Sequence, residues 1–573
     1  MNYSTVITNF LNRWSFLLGL ILTLILLWPL VAAPYFNHHD DVQAIRLYEM
    51  NECFKDGQIP CRWVPHLGNL YGYPLFNYYG PLPYYFGALI FLVTNSLTLS
   101  VKLMFALPFV LSYIFMYLLV RKLTGSSIAG SLSGIFYSYA PYHSLVFYVR
   151  GAMGEMWALM WFPAILWSLL RLYEKIQLGN VLLLSFFIAG LFLSHNLSTM
   201  IFIPVLLLLA IILSFNLKER FKFLTILLAC LIFSVFLSSF YLLPMYFEKN
   251  LVHVNTTTIG YFSYTEHFKG FKKLIFERSW GYGGSVREVP GGEKDGLSFQ
   301  IGFIHLFGVA LGIYSLISLR KRKALLLVFL LLLGFFVYMV NPRSYYIWGI
   351  FEPLKFLQFP WRFLMLIIFF ASIIAGMGLS AFKERPKNFI FLSLALLVVV
   401  FNINYFRPEK FINFQNEDFL SGSYWTYQLQ RSILDYLPVS AKEPPAKASI
   451  SPYTILTGEL EITDFKKGSN WFEFKADVKT HSIVRISQYY FPNWIIKIDG
   501  KEAKIDHENT WGLMTIILGE GEHRIEARLE DTPIRIFGNL LTGVAAITFF
   551  LLVLFAFKST KNRIIYYWRS FFQ

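Results

Sequence analysis

The sequence predicts a polytopic α-helical membrane protein with an extracytoplasmic antiparallel β-sandwich-like domain near its C-terminus. Three observations carry that prediction. The 573-residue chain is 56% hydrophobic and only 15% charged, a balance that suits lipid rather than water. About twelve stretches are apolar over the roughly 20 residues that a helix needs to cross a hydrocarbon core. Residues 411–534 lose that character and alternate apolar and polar with period two.

The apolar stretches fall near 14–33, 101–120, 126–143, 153–170, 179–195, 198–215, 223–244, 301–318, 324–340, 363–381, 388–405 and 536–557. The first has no small-residue cleavage site after it and reads as an uncleaved helix. Basic clusters separate the stretches: Arg121-Lys122, Arg171 with Lys175, Lys218 to Lys222, Arg320 to Lys323, Lys383 to Lys387 and Lys558 to Arg563. All fall on one side, cytoplasmic by the positive-inside bias, provided that 83–97 lies as a re-entrant or interfacial segment. Both termini are then cytoplasmic, and nearly all loop mass (34–100, 245–300, 341–362, 406–535) lies outside. The formal charge of +15 is therefore a topology signal, which argues against nucleic-acid binding. The basic, aromatic tail after Lys558 suits an interfacial anchor.

In the β-rich segment, Trp471 to Val478 and Ile483 to Ser487 read as strands. Asp499-Gly500 reads as a two-residue hairpin turn, and Gly519 to Glu522 as a second hairpin between Gly512–Leu518 and His523–Leu529. The organisation is 1–406 membrane-embedded, 407–534 β-domain, and 535–573 last span and basic tail. Of the three cysteines, Cys230 lies in an apolar stretch, while Cys53 and Cys61 share the first outer loop and can bridge in an oxidising compartment.

The chemistry gathers on the outer side. Asp40 and Asp41 follow the first span closely, where a carboxylate can take a proton from a hydroxyl or hold a cation against a phosphate. The structural alternative is that they cap a helix starting at Val42. Downstream, Trp63, Tyr73, Tyr78 and Tyr79 offer aromatic faces for sugars or for the membrane interface. Arg150 and Glu155 sit at another helix mouth, where they either neutralise each other or clamp a phosphate. His195 ends an apolar run and reads as a structural helix-end residue or a ligand. Arg362, in Gln358-Phe359-Pro360-Trp361-Arg362, reads as a snorkelling anchor or a second phosphate ligand. Trp280 to Ser285 is Gly-rich without nucleotide-loop spacing and reads as a flexible outer loop covering the site.

The first loop, with its acidic pair, Gly57-Gln58-Ile59-Pro60-Cys61-Arg62-Trp63 and the run Tyr73 to Tyr85, resembles the membrane proteins labelled 6-pyruvoyl-tetrahydropterin synthase-related. Arg150-Gly151 with Glu155 and the run Gln358 to Arg362 share the resemblance. Tyr489 to Trp494 with Asp499-Gly500-Lys501 is similar to YfhO-type proteins. The resemblance covers essentially the whole chain and implies a GT-C glycosyltransferase architecture, not pterin chemistry. It implies a polyprenyl-phosphate-linked sugar donor and an extracytoplasmic glycan, lipid or protein acceptor. By it Asp40 or Asp41 would be the base, with Arg150 and Arg362 candidate phosphate ligands; Glu155, His195, Trp63, Tyr78 and Tyr79 complete the candidate substrate-binding set from the reading of the residues themselves. It leaves open a divalent cation (Mg or Mn), which Asp40 and Asp41 would hold.

Two other classes compete. A transporter or flippase of a lipid-linked glycan suits twelve helices, but such proteins place ionisable residues near the midplane, where this chain has almost none. A non-catalytic glycan-assembly protein would use the β-domain for binding; tight glycan binding without transfer is its signature.

Overall fold

A computed structural model describes residues 3–287, 289, 295–318, 322–431 and 433–571, with side chains from 8 to 558. The cluster Arg320 to Lys323 lies partly outside these residues, as do the tail side chains after Lys558.

Nine helices among the described residues are long and apolar enough to cross a membrane: Thr8–Ile25, Leu97–Thr124, Met153–Glu174, Asn196–Ser214, Arg220–Leu237, Lys323–Val340, Pro360–Leu379, Glu384–Tyr405 and Pro533–Lys558. Leu178–Ser194 and Phe303–Ser318 are shorter apolar helices on two further expected stretches. The expected span at 126–143 takes another form. Its helix Ser127–Ser138 stops before Pro141, and the chain continues through Pro141–Ser144 into a π-helical turn, Leu145–Arg150. Proline at the start of a new turn cannot donate to the old one, so the ladder breaks there.

Helix Leu82–Thr94 has 13 residues, about 20 Å at 1.5 Å per residue, and so falls short of a roughly 30 Å core. The charge-based topology requires such a segment there.

Two helices form the centre of the bundle. Leu364–Leu379 is buried along its whole length, as its apolar character on all sides dictates. Its small residues permit close packing: a Cβ on Gly376 would meet Ser133 Oγ at 2.0 Å, and one on Gly378 the backbone of Gly312 at 2.7 Å. Met153–Glu174 is almost as deeply buried. The site lies at the N-terminal ends of these two helices.

The first loop is folded. Helix Gln43–Lys55 follows the acidic pair, and Cys53 is bridged to Cys61. Strand β1 (Tyr35–Phe36) pairs antiparallel with β2 (Phe411–Ile412), tying this loop to the segment after the bundle.

That segment is helical at Asn416–Phe419, Gly422–Gln430 and Ile433–Tyr436, and packs against the first loop. The sheets follow it: β3 (Tyr453–Thr457), β4 (Leu460–Lys467), β5 (Trp471–Val478), β6 (Ser482–Tyr489), β7 (Trp494–Ile498), β8 (Lys501–Ala503), β9 (Leu513–Leu518) and β10 (Gly521–Leu529). They form a five-stranded sheet, β4-β5-β10-β7-β8, and a three-stranded sheet, β3-β6-β9. Both contribute to one apolar core through Phe472, Phe474, Val484, Ile486, Ile496, Met514, Ile516 and Ile525, which makes the unit a sandwich.

The Asp499-Gly500 turn is the predicted hairpin, with φ of 50° and 78° and Ile498 opposite Lys501. The second expected hairpin does not form. β9 pairs with β6, and β10 with β5 and β7, so the turn at 519–520 crosses between sheets. Arg62 fastens the domain's exit to the first loop, donating to Asp531 (3.1 Å), Asn77 (3.1 Å), the Phe240 carbonyl (3.1 Å) and Asn539 (2.8 Å).

Candidate functional site

A cavity of about 1760 Å³ lies between the N-terminal ends of Met153–Glu174 and Leu364–Leu379, the first loop and the segment 430–446. Among the predicted residues, Asp40, Tyr78, Tyr79, Arg150, Glu155, His195 and Arg362 line it. Asp41 and Trp63 do not.

The acidic pair is split. Backbone N–H groups of His39 and Asp40 donate to the carbonyls of Val149 (2.9 Å) and Arg150 (2.8 Å), laying the loop against the π-helical turn. Gln43 Nε2 clips both segments, donating to the carbonyls of Asp40 (3.2 Å) and Gly151 (2.8 Å). The chain turns over residues 39–42, with the Val42 N–H donating to the Asp40 carbonyl at 2.8 Å, and the turn leaves Asp40 on the exposed cavity wall and Asp41 in the interior. Asp41 Oδ1 accepts from the Tyr35 hydroxyl at 2.7 Å, with the His38 ring 3.6 Å away. Asp40's carboxylate makes no hydrogen bond or ion pair among the described residues. Neither aspartate caps the next helix, whose N-cap is Val42 without a side-chain bond.

Trp63 is displaced from its expected role by packing. Its ring is fully buried in the sandwich core, edge-on to Trp494 at 5.8 Å, where no ligand in the cavity reaches it.

The cavity floor is a cluster of two arginines on one carboxylate. Arg150 grips both oxygens of Glu155 at 2.7 and 2.9 Å, Arg362 Nε donates to Oε1 at 3.0 Å, and the Tyr142 hydroxyl to Oε2 at 2.9 Å. Arg362 also donates to the Leu357 carbonyl (2.6 Å) and Gln358 Oε1 (2.9 Å). The Arg150 guanidinium stacks on Trp361 at 4.7 Å. Bidentate geometry of this kind fixes position as well as charge. The neutralising alternative for Arg150 and Glu155 is therefore the one the structure adopts.

His195 caps helix Asn196–Ser214, its Nδ1 accepting from the Ser198 backbone N–H at 3.3 Å. That bond leaves the proton on Nε2. Burial pushes this imidazole down to about 4, against the pull of Glu155, so it is neutral at ordinary pH. Tyr78 gives its hydroxyl to the Glu248 carbonyl at 2.7 Å, leaving only its ring for the cavity. From the Gly-rich loop, Tyr282, Gly283 and Gly284 form part of the wall, and the Tyr282 carbonyl lies 2.8 Å from His39 Nε2.

Arg46, Arg431, Asp435 and Tyr436 also stand on this wall and were not among the expected residues. Arg46 had one usable signal, a lone cation one turn into the helix that follows the acidic pair. The others come from a segment whose periodicity says nothing about where it folds back.

Among the described residues no three His, Cys, Asp or Glu side chains converge as a metal site. With Asp41 turned inward and Glu155 held by two arginines, neither joins Asp40 in holding a divalent cation.

Known proteins offer three kinds of likeness. Residues 76–275 match the 6-pyruvoyl-tetrahydropterin synthase related domain, a membrane protein domain. This domain holds Tyr78, Tyr79, Arg150, Glu155 and His195, whereas Asp40, Arg46 and Arg362 lie beyond its ends. An uncharacterized protein of Lactococcus lactis subsp. cremoris (strain MG1363) is 24% identical over 242 residues, 41% of this chain and 39% of that protein. Two solved structures are similar at 14% identity and a TM-score of 0.44. One is the Archaeoglobus fulgidus oligosaccharyltransferase tethered with an acceptor peptide, with 71% of this chain and 56% of that one covered. The other is the mycobacterial arabinofuranosyltransferase AftD, with 70% and 27% covered.

Proposed function

We propose that this protein is a membrane glycosyltransferase that moves a sugar from a polyprenyl-phosphate-linked donor to an extracytoplasmic glycan, lipid or protein. The observation that carries the reading is Asp40: a carboxylate without a partner, on the wall of a large cavity at the outer ends of the bundle. Such a group is poised to accept the proton of an acceptor hydroxyl or amide as the bond to sugar forms and the phosphate leaves. Asp41 supports it by anchoring the loop through Tyr35. The neutral His195, with a proton on Nε2, donates to donor or acceptor oxygens. Tyr78 and Tyr79 supply ring faces for the sugar.

The reading places both termini in the cytoplasm and the cavity outside. The one-sided basic clusters and the bridged Cys53–Cys61 loop support that orientation. The resemblance of the first loop to 6-pyruvoyl-tetrahydropterin synthase-related proteins points the same way.

The test is transfer of labelled sugar from a polyprenyl-phosphate donor pool by membranes carrying wild type, Asp40→Asn or Asp41→Asn. Asp40→Asn should abolish transfer with the melting temperature unchanged. Asp41→Asn should lower stability by about 1.5–3 kcal/mol, the worth of a hydrogen bond to a charged group. Full transfer by Asp40→Asn would sink the assignment, and gradient-driven glycan uptake without transfer would favour the transporter.

A further inference from the structure

The Arg150 guanidinium rests on the Trp361 ring, so whatever holds this ring also holds the cavity floor. Trp361 is buried, and its Nε1 donates to Ser285 Oγ at 3.2 Å. Ser285, in the Gly-rich loop, lies 3.0 Å from His267 Nδ1, and the other ring nitrogen of His267 meets the Tyr261 carbonyl. Three segments thus join in one buried row: 261–267, the Gly-rich loop, and the turn Pro360–Phe363 that leads into helix Leu364–Leu379. Phe359 packs along the row, 4.5 Å from the His267 ring and 4.8 Å from that of Trp361.

The two ends of the row dictate where its hydrogens lie. A carbonyl only accepts, so His267 holds its proton on Nε2 and leaves Nδ1 as an acceptor. Nδ1 therefore takes the Ser285 hydroxyl proton. An indole N–H only donates, so Ser285 Oγ accepts from Trp361 while giving to His267. Burial pushes His267 down to about 4, which keeps Nδ1 bare as the row requires.

The loop has a second anchor one residue on. Val286 donates its N–H to Asp295 at 2.8 Å, and its carbonyl accepts from Lys269 at 2.8 Å. Lys269 and Asp295 are themselves a buried ion pair at 2.7 Å. The backbone beside Ser285 is therefore held whether or not the hydroxyl is present. What the hydroxyl adds is the link from His267 to the ring under Arg150.

We propose that His267 is a positioning residue that acts through Ser285 to set the Trp361 ring on which Arg150 rests. In the glycosyltransferase reading, on which its bearing on transfer rests, the row holds the cavity floor against the wall formed by Tyr282, Gly283 and Gly284. The run Gln358 to Arg362 then serves the site through its tryptophan as well as its arginine.

Full-length protein carrying 15N at histidine and tryptophan would be followed by NMR in detergent. In wild type at neutral pH, the His267 signals, assigned by their loss in His267→Gln, should show Nε2 protonated and Nδ1 bare. The Trp361 indole resonance, assigned through Trp361→Phe, should shift in Ser285→Ala and stay near its wild-type position in Ser285→Thr, which keeps the hydroxyl. Adding His267→Gln should move that resonance in wild type and much less in Ser285→Ala, where the link is already cut. In a transfer assay, Ser285→Ala should lower kcat about three- to tenfold, the worth of one hydrogen bond, and Ser285→Thr should retain most of it.

A His267 proton on Nδ1, or a Trp361 resonance that does not move in Ser285→Ala, would overturn the proposal. The NMR signals do not depend on sugar transfer. Absence of transfer from wild type would therefore count against the glycosyltransferase reading and leave the row standing.

Discussion

Arg362 Nε lies 3.0 Å from Glu155 Oε1, joining two segments 207 residues apart in the chain. Each residue sits at the N-terminal end of a central helix, so the contact locks both ends at the cavity floor. Glu155 also answers Arg150, and one buried carboxylate therefore compensates two buried guanidinium groups. Glu155→Gln should leave both uncompensated and cost about 3–5 kcal/mol, the penalty typical of breaking a buried ion pair. Thermal unfolding in detergent would read it. Glu155→Gln combined with Arg362→Gln should recover part of the loss, because one orphaned charge leaves with its partner. An unchanged melting temperature in the single variant would contradict the packing.

Acid should weaken the fold through histidines that burial holds neutral. Burial pushes His267 down to about 4, despite its bond to the Tyr261 carbonyl, and His195 also to about 4. The unfolded chain titrates these groups near 6.5. Below that pH the unfolded state takes up protons first, so stability falls as pH drops from about 6.5 towards 4 and is flat above it. His267→Gln should shallow this fall in a series of melting curves between pH 7.5 and 4.5. An identical slope would mean that His267 is not the neutral, buried group described.

What could be read from the sequence follows from where each signal originates. Spans were legible because lipid demands uninterrupted apolar runs, and the short 82–94 helix because basic clusters count sides independently of hydropathy. The Asp499-Gly500 hairpin was legible because few dipeptides accept positive φ twice. The turn at 519–520 was misread because alternation marks β9 and β10 as strands but is silent on their partners. Trp63 was misread for a similar reason. An aromatic in a loop looks like a binding platform until a sandwich some 400 residues later closes over it. Arg46 carried only a faint signal, a lone cation one turn into a helix, because its place on the cavity wall is a property of the folded chain.

Gly151 gives the most local test of how Asp40 is held. Its φ of +62° is a conformation that side chains disfavour by roughly 1–2 kcal/mol. A Cβ there would also fall 2.5 Å from Cγ of His38, and the next two residues, His39 and Asp40, form the bonds that place the loop. Gly57 separates the two effects, since its φ is +69° but nothing lies within 4 Å of its would-be Cβ. Gly57→Ala therefore measures the conformational cost alone. Gly151→Ala should cost more, by the work of displacing His38, and should lower transfer where Gly57→Ala does not. Adding His38→Ala to Gly151→Ala should narrow the stability gap between the two glycine sites, because it removes the ring that the new methyl strikes. Equal melting temperatures for Gly151→Ala and Gly57→Ala would show that His38 moves freely and that Asp40 is positioned by something other than this contact.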